Sequence, residues 1–214
     1  AARPRPSHRP HHDAGFVRMT RADVFTEETM TRPLFEELTG EHAREDEWSG
    51  PHGFALGGMM QANAASLAEE YFVAANELVD AIKDKRIADY RIGNAALFLY
   101  RHSCELIRKA AMPDAKRVHD LIALTDRFVV MVKERYGQDV PAWIVRRMKE
   151  LAAIDPGSTA FRYGAYGTPI DAADQPIEFE AYVSLSHLQA AMLALNTALV
   201  SAVDEIRMAR GDRP

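Results

Sequence analysis

The sequence predicts an all-α protein, an antiparallel helical bundle with a small β-hairpin before its last helix. Three observations carry that prediction. Apolar residues recur at spacings of three and four in five stretches between about residue 56 and residue 210, Pro, Gly or capping residues bound these stretches, and the periodicity lapses only between Phe161 and Tyr182. With 214 residues, 47% of them hydrophobic, the chain suits one ordered domain of about 150–190 residues after a Pro-rich start.

Residues 1–21 read as a disordered, basic, Pro- and His-rich tail, because Pro4, Pro6 and Pro10 break helices and few apolar groups are present to bury. His8, His11, His12 and Asp13 are donors suited to a divalent ion, but a Pro-broken segment holds them in no fixed geometry, so no metal site is expected. Met19 is a candidate original start, which would make the residues before it an extension. Residues 22–54 form an acidic lead-in arm. Between residues 24 and 50, eight acids face only Arg32 and Arg44, and Pro33, Gly40, Gly50, Pro51 and Gly53 leave room for one short helix near Thr26–Leu38.

The helical domain is expected over residues 55–210. Its first helix, from about Leu56 to Lys83, carries the stripe Met60, Ala64, Leu67, Tyr71, Ala75, Leu78 and Ile82; Gly57-Gly58 at its start lacks the strand and the Lys-Ser/Thr of a phosphate loop. The central helix spans 88–112, and its six consecutive apolar residues Ala95–Tyr100 mark the axis of the core. Pro113-Asp114 ends it and opens a third helix to about Tyr136, with Val118, Leu121, Ile122, Phe128, Val129 and Val132 inward. Gly137 closes that helix. Pro141 opens the next, whose face is Trp143, Ile144, Met148, Leu151 and Ala152. After the turn Asp155-Pro156-Gly157-Ser158, the segments Ala160–Tyr163 and Ile177–Val183 are β-prone and alternate, which predicts the hairpin. Ser184 or Ser186 then caps a last helix with the stripe Leu188, Met192, Leu195, Leu199, Ala202 and Ile206.

The formal charge of −5 excludes a globally basic nucleic-acid binder, yet residues 83–149 carry fifteen Lys or Arg against eight Asp or Glu. Either solvated helix faces or a basic patch accounts for that excess. Cys104 has no second cysteine to pair with and reads as a small buried apolar residue. Zinc-ligand spacing, His-Glu-x-x-His, the Gly-x-Ser-x-Gly elbow, the Walker loop and the dinucleotide fingerprint are all missing, and no cofactor is expected. No apolar run reaches the ~20 residues of a membrane span and no signal peptide opens the chain, so the reading is cytoplasmic, without a membrane partner.

What remains is polar chemistry on the central helix. Arg101, His102, Glu105, Arg108 and Lys109 fall in two helical rows that share Glu105, so a carboxylate can be compensated from both sides within a helix seam. His119, next to Asp120 at the start of the following helix, either bonds a neighbouring backbone carbonyl or joins that set.

The run Tyr100-Arg101-His102-Ser-Cys-Glu105-Leu-Ile-Arg108-Lys109-Ala110, followed by His119-Asp120-Leu121, resembles the paired-helix core of HEPN-type domains over about residues 60–135. Ile154-Asp155-Pro156 and Phe161-Arg162-Tyr163 resemble a feature that follows this core. The resemblance implies an antiparallel helical bundle, often dimeric, of defence and toxin–antitoxin systems, in which many members are metal-independent RNases. Their catalytic motif is an Arg, four to six intervening residues and then a His on a late helix, with Glu-x-x-x-Lys upstream. Glu105-x-x-x-Lys109 matches the upstream pair. The Arg–His spacing occurs here only in the tail, from Arg3 to His8 and from Arg5 to His11 or His12.

The resemblance therefore implies a module that binds RNA, a nucleotide or a partner protein encoded nearby, as a homodimer, through Arg101, His102, Glu105, Arg108, Lys109, Arg117, His119 and Arg162. The alternatives are a divergent RNase, with His102, Glu105 and His119 as the catalytic candidates, and a dimeric scaffold in which the polar set is purely structural.

Overall fold

A computed structural model describes residues 26–35, 37, 39–41, 63–115, 117–164, 166–171, 173–178 and 180–211. Expectations for the tail, for most of the acidic arm and for Gly57-Gly58 lie outside these residues. The chain divides into two compact units, Ala1–Met60 and Gln61–Pro214. In the first, α1 (Glu27–Thr31) is opened by a reciprocal capping box between Thr26 and Thr29 and ends at Arg32, just before Pro33.

The second unit is all-α among the described residues. It contains α2 (Ala64–Lys83), α3 (Asp89–Ala111), a 3-10 turn (Pro113–Ala115), α4 (Leu121–Tyr136), α5 (Ala142–Ile154), α6 (Ala160–Tyr163) and α7 (Leu185–Arg210). Caps explain several boundaries. Asn63 accepts from the amides of Ala65 and Ser66, so α2 starts at Ala64 rather than near Leu56. Asp120 accepts from Ile122 and Ala123, so the turn after Pro113 remains separate and α4 starts only at Leu121. Gly137, at φ 67°, ends α4 in the left-handed conformation that glycine adopts without strain.

The first expected strand is instead helical. Asp155 Oδ1 accepts from the amides of Thr159 and Ala160 at 2.7 and 2.9 Å, and this side-chain cap turns the β-prone Ala160–Tyr163 into α6. No strand occurs among the described residues. The intervening chain folds back once, through an isolated antiparallel bridge between Ile170 and Pro176, with Asp171 N–H donating to Gln175 O and Ile177 N–H to Pro169 O.

Helix α3 packs against α2, α4, α6, α7 and the 3-10 turn. The core joins Ala68, Phe72, Ala75 and Val79 of α2 to Ala96, Tyr100, Cys104, Ile107 and Ala111 of α3 and to Met192, Leu195, Leu199, Val203 and Ile206 of α7. Each large side chain among them contributes about 1.5–3 kcal/mol on burial. The α2 stripe keeps the expected Ala75, but Ala68, Phe72 and Val79 are buried more deeply than the expected Leu67, Tyr71 and Leu78. On α3 the sealed half is Tyr100–Ala111, whereas Ala95 is exposed and Leu97, Phe98 and Leu99 are half-buried. The start of α4, α6 and the 3-10 turn cover the second half, which is therefore buried despite its charges. The segment Leu185–Ala209 of α7 is long and apolar enough, by length and composition, to cross a membrane. Its Met192–Ile206 row packs in the core.

Candidate functional site

Glu105 lies at the centre of the buried half of α3, with its carboxylate sealed from water. Arg101 Nη1 donates to its Oε2 at 2.8 Å and Lys109 Nζ to its Oε1 at 2.7 Å, one helical turn to either side. His119 Nδ1 lies 2.9 Å from the same Oε1, across from the segment that leads into α4. Burial alone would raise the pKa of Glu105. The hydrogen bonds from Lys109 and Arg101, the charge of Lys109 and the bond to His119 outweigh it, and hold the carboxyl below the usual carboxylate range.

Arg101, also fully buried, reaches in three further directions. Its Nε donates to the Asp155 carbonyl at 2.8 Å and stands 3.2 Å from Asp155 Oδ2, while Nη2 donates to the His119 carbonyl at 3.0 Å. The set therefore grips His119 by ring and by backbone. His119 itself faces outward: its side chain is 63% exposed, and with Nδ1 on Glu105 the ring turns Nε2 away from the carboxylate.

His102 lies on the other side of Glu105, its Nδ1 4.0 Å from Oε2. Its ring stacks on Phe98, with centroids 5.6 Å apart, and meets the edge of Tyr71 on α2, so it is held as part of an aromatic seam. Arg108 leaves the Glu105 row. It is sealed between α3 and α4, where Nε donates to the Cys104 carbonyl and Nη1 to Thr125 Oγ1 at 2.6 Å; Nη2 has no hydrogen-bond partner among the described residues. Burial lowers its pKa to about 10.

Of the expected ligand-binding residues, the structure thus brings Arg101, His102, Lys109 and His119 around the carboxylate of Glu105. Arg101, Glu105, Arg108 and Lys109 are buried, and Arg117 is exposed two residues before His119. The side chain of Arg162 lies outside the described residues. Sequence reasoning missed Asp155 and Thr125 as members of this polar interior. Asp155 read as the start of a turn and as part of a feature that follows the resembled core, with no link to Glu105, and Thr125 is a lone hydroxyl on an apolar face. Burial also pushes the Cys104 thiol up to about 11, which leaves it protonated and unreactive at neutral pH.

Two surface depressions, of about 650 and 590 Å³, lie against α4 and between α2, α3 and the start of α7; neither is lined by Glu105 or His119. The polar set is therefore a buried support beneath one exposed imidazole. Acid–base chemistry or recognition of a phosphate suits that imidazole better than enclosure of a small molecule. No protein family, no curated protein and no solved structure matches the chain.

Proposed function

We propose that the chain is a HEPN-like helical module and that it binds RNA or nucleotide phosphate at the edge carrying His119 and Arg117. In this reading it acts in the cytoplasm of a prokaryote, in a defence or toxin–antitoxin setting. One observation carries it: two fully buried groups, Glu105 and Arg101, hold the ring and the backbone of an exposed histidine beside an exposed arginine. Imidazole and guanidinium both donate hydrogen bonds to phosphate oxygens.

The test is fluorescence anisotropy with a short single-stranded RNA, and separately with ATP, over a salt series. Binding should weaken steeply with salt. The Arg117→Ala, His119→Ala double variant should bind more weakly and lower the salt slope by about one for each phosphate that it no longer neutralises. Absence of binding to either probe, or binding indifferent to these substitutions, overturns the reading.

The Glu105–His119 pair also favours a second reading, a divergent metal-independent RNase. A carboxylate on Nδ1 fixes the tautomer and leaves Nε2 able to take the 2′-OH proton, and Arg117, exposed two residues earlier in the chain, is the candidate cation for phosphate charge. Because the family's late Arg–His pair is missing from the helices, strong turnover is not expected. Incubation with total RNA in EDTA, alongside His102→Ala and His119→Ala, decides the matter. Cleavage by wild type that His119→Ala abolishes would promote the RNase reading.

A further inference from the structure

We propose that His119 is a phosphoryl acceptor, whose Nε2 takes a phosphoryl group from a small-molecule donor with a good leaving group, such as an acyl phosphate, while Nδ1 stays on Glu105. The inference concerns covalent chemistry at this histidine and goes beyond the binding of RNA or nucleotide.

Glu105 does not need His119 for its own compensation. Arg101 and Lys109 already give it a charged donor on each oxygen, at 2.8 and 2.7 Å. The third bond, from an exposed ring to a sealed carboxylate, serves the ring: Oε1 can only accept, at 2.9 Å, whereas Lys109 Nζ is 3.5 Å from Nδ1 and donates to Oε1 at 2.7 Å, so the shorter contact assigns the proton to Nδ1 and the lone pair to Nε2. The backbone is fixed as well, since Arg101 holds the His119 carbonyl at 3.0 Å. A nucleophile needs this combination of an accessible lone pair, a defined tautomer and an orienting partner.

The step balances without a further reactant. Nε2 attacks phosphorus, a P–N bond forms, the P–O bond to the acyl group breaks, and the carboxylate leaves with the bonding pair. The ring then carries a positive charge with its proton still on Nδ1, opposite the negative charge of Glu105. The surroundings suit the product. Arg101 donates to the His119 carbonyl, Lys109 Nζ lies 3.5 Å from its Nδ1, Arg117 is exposed two residues before it, and Asp120 is turned back onto the amides of Ile122 and Ala123. Glu105 and Arg101 are positioning residues here; only His119 meets the reacting atoms.

The experiment incubates the full chain at neutral pH with acetyl phosphate and, in parallel, with phosphoramidate. Intact mass, peptide mapping and ³¹P NMR read the product. The expected result is one phosphoryl group on Nε2 of His119, stable in alkali and lost in acid, formed at least about tenfold faster than on any other histidine of the chain. His119→Ala should lose the fast adduct, His102→Ala should keep it, and Glu105→Gln should slow it by about 10- to 100-fold, the range that orienting partners of histidine command. If Glu105→Gln fails to fold, the rate at His119 relative to the other histidines of the wild type carries the same point, because a ring without an orienting carboxylate reacts no faster than they do. No adduct at His119, an adduct on Nδ1, or reaction no faster than at the other histidines overturns the proposal. RNA binding is read in a separate assay, so loss of one result leaves the other standing.

Discussion

Arg108 and Glu105 stand three residues apart on one helix, both sealed from water, yet they do not pair. Glu105 is held by Arg101 and Lys109, and Arg108 turns to Thr125 and the Cys104 carbonyl, its Nη2 without a hydrogen-bond partner among the described residues. A buried cation without a carboxylate partner pays for desolvation with little Coulombic return.

Replacing it with an apolar side chain of similar length should therefore not harm the fold. Thr125 Oγ1 also donates to the Leu121 carbonyl at 2.7 Å, so Arg108→Met leaves no hydroxyl orphaned. The expected change in stability runs from neutral to about 1–4 kcal/mol more stable. Urea denaturation measures it, and a variant less stable than wild type by more than about 1 kcal/mol, the depth of an ordinary point substitution, would contradict the account.

Removing Glu105 should do the opposite. Glu105→Ala leaves Arg101 and Lys109 without their shared anion in a dry seam, at a cost of about 3–5 kcal/mol. His119→Ala, which deletes an exposed ring, should cost about 1 kcal/mol or less. Thermal melts of the two variants side by side should show a large fall for the first and a small one for the second. Equal falls would mean that the carboxylate is not the keystone of the set.

The same carboxylate sets an acid limit. Its pKa is lowered in the folded state from an ordinary 4.5. The stability it contributes is therefore complete above about pH 4.5 and is lost as pH falls through the lower, folded-state value. Denaturant midpoints between about pH 6 and pH 2 should fall more steeply for wild type than for Glu105→Gln, provided that variant folds. Parallel curves would assign the acid sensitivity to other carboxylates.

Gly167 lies so close to the end of α5 that an added Cβ would fall on the Ala153 carbonyl, and its amide donates to the Ile154 carbonyl at 2.8 Å. Both obstacles are backbone, which does not swing aside. Gly167→Ala should destabilise by about 1–3 kcal/mol. Gly157→Ala, where the nearest contact is an ordinary 3.8 Å to Thr159 Oγ1, should stay within about 0.5 kcal/mol.

Homodimerisation, which the resemblance of the central helices implies, is the fifth expectation. Light scattering at micromolar concentration should give about twice the 23.9 kDa chain mass. A monomer alone would count against it.

Helix identity was legible from residue spacing because most residues of these helices face either core or water. Gly137 and Pro141 marked their boundaries as well, whereas the caps Asn63 and Asp120 start α2 and α4 later than the expected Leu56 and Pro113. The pairing of Glu105 with Arg101 and Lys109 was equally legible, since one helical turn separates the residues. Three things were not. Apolarity pointed to Ala95–Tyr100 as the core axis, but burial follows the neighbours that arrive, and they arrive over the charged half. Ala160–Tyr163 read as a strand because β-propensity says nothing of a carboxylate five residues upstream that captures the Ala160 amide. Arg108 read as a member of the Glu105 row, whereas Thr125, on another helix, receives it.

Asp155 joins its neighbours through two different groups: its carboxylate opens α6 and its carbonyl holds Arg101. The turn after α5 therefore cannot open without releasing a guanidinium from the middle of α3. Surface turns ordinarily exchange their amide hydrogens through small local openings. Here the amides of Thr159 and Ala160 should exchange only as slowly as the whole domain unfolds, which makes this turn part of the last cooperative unit to come apart.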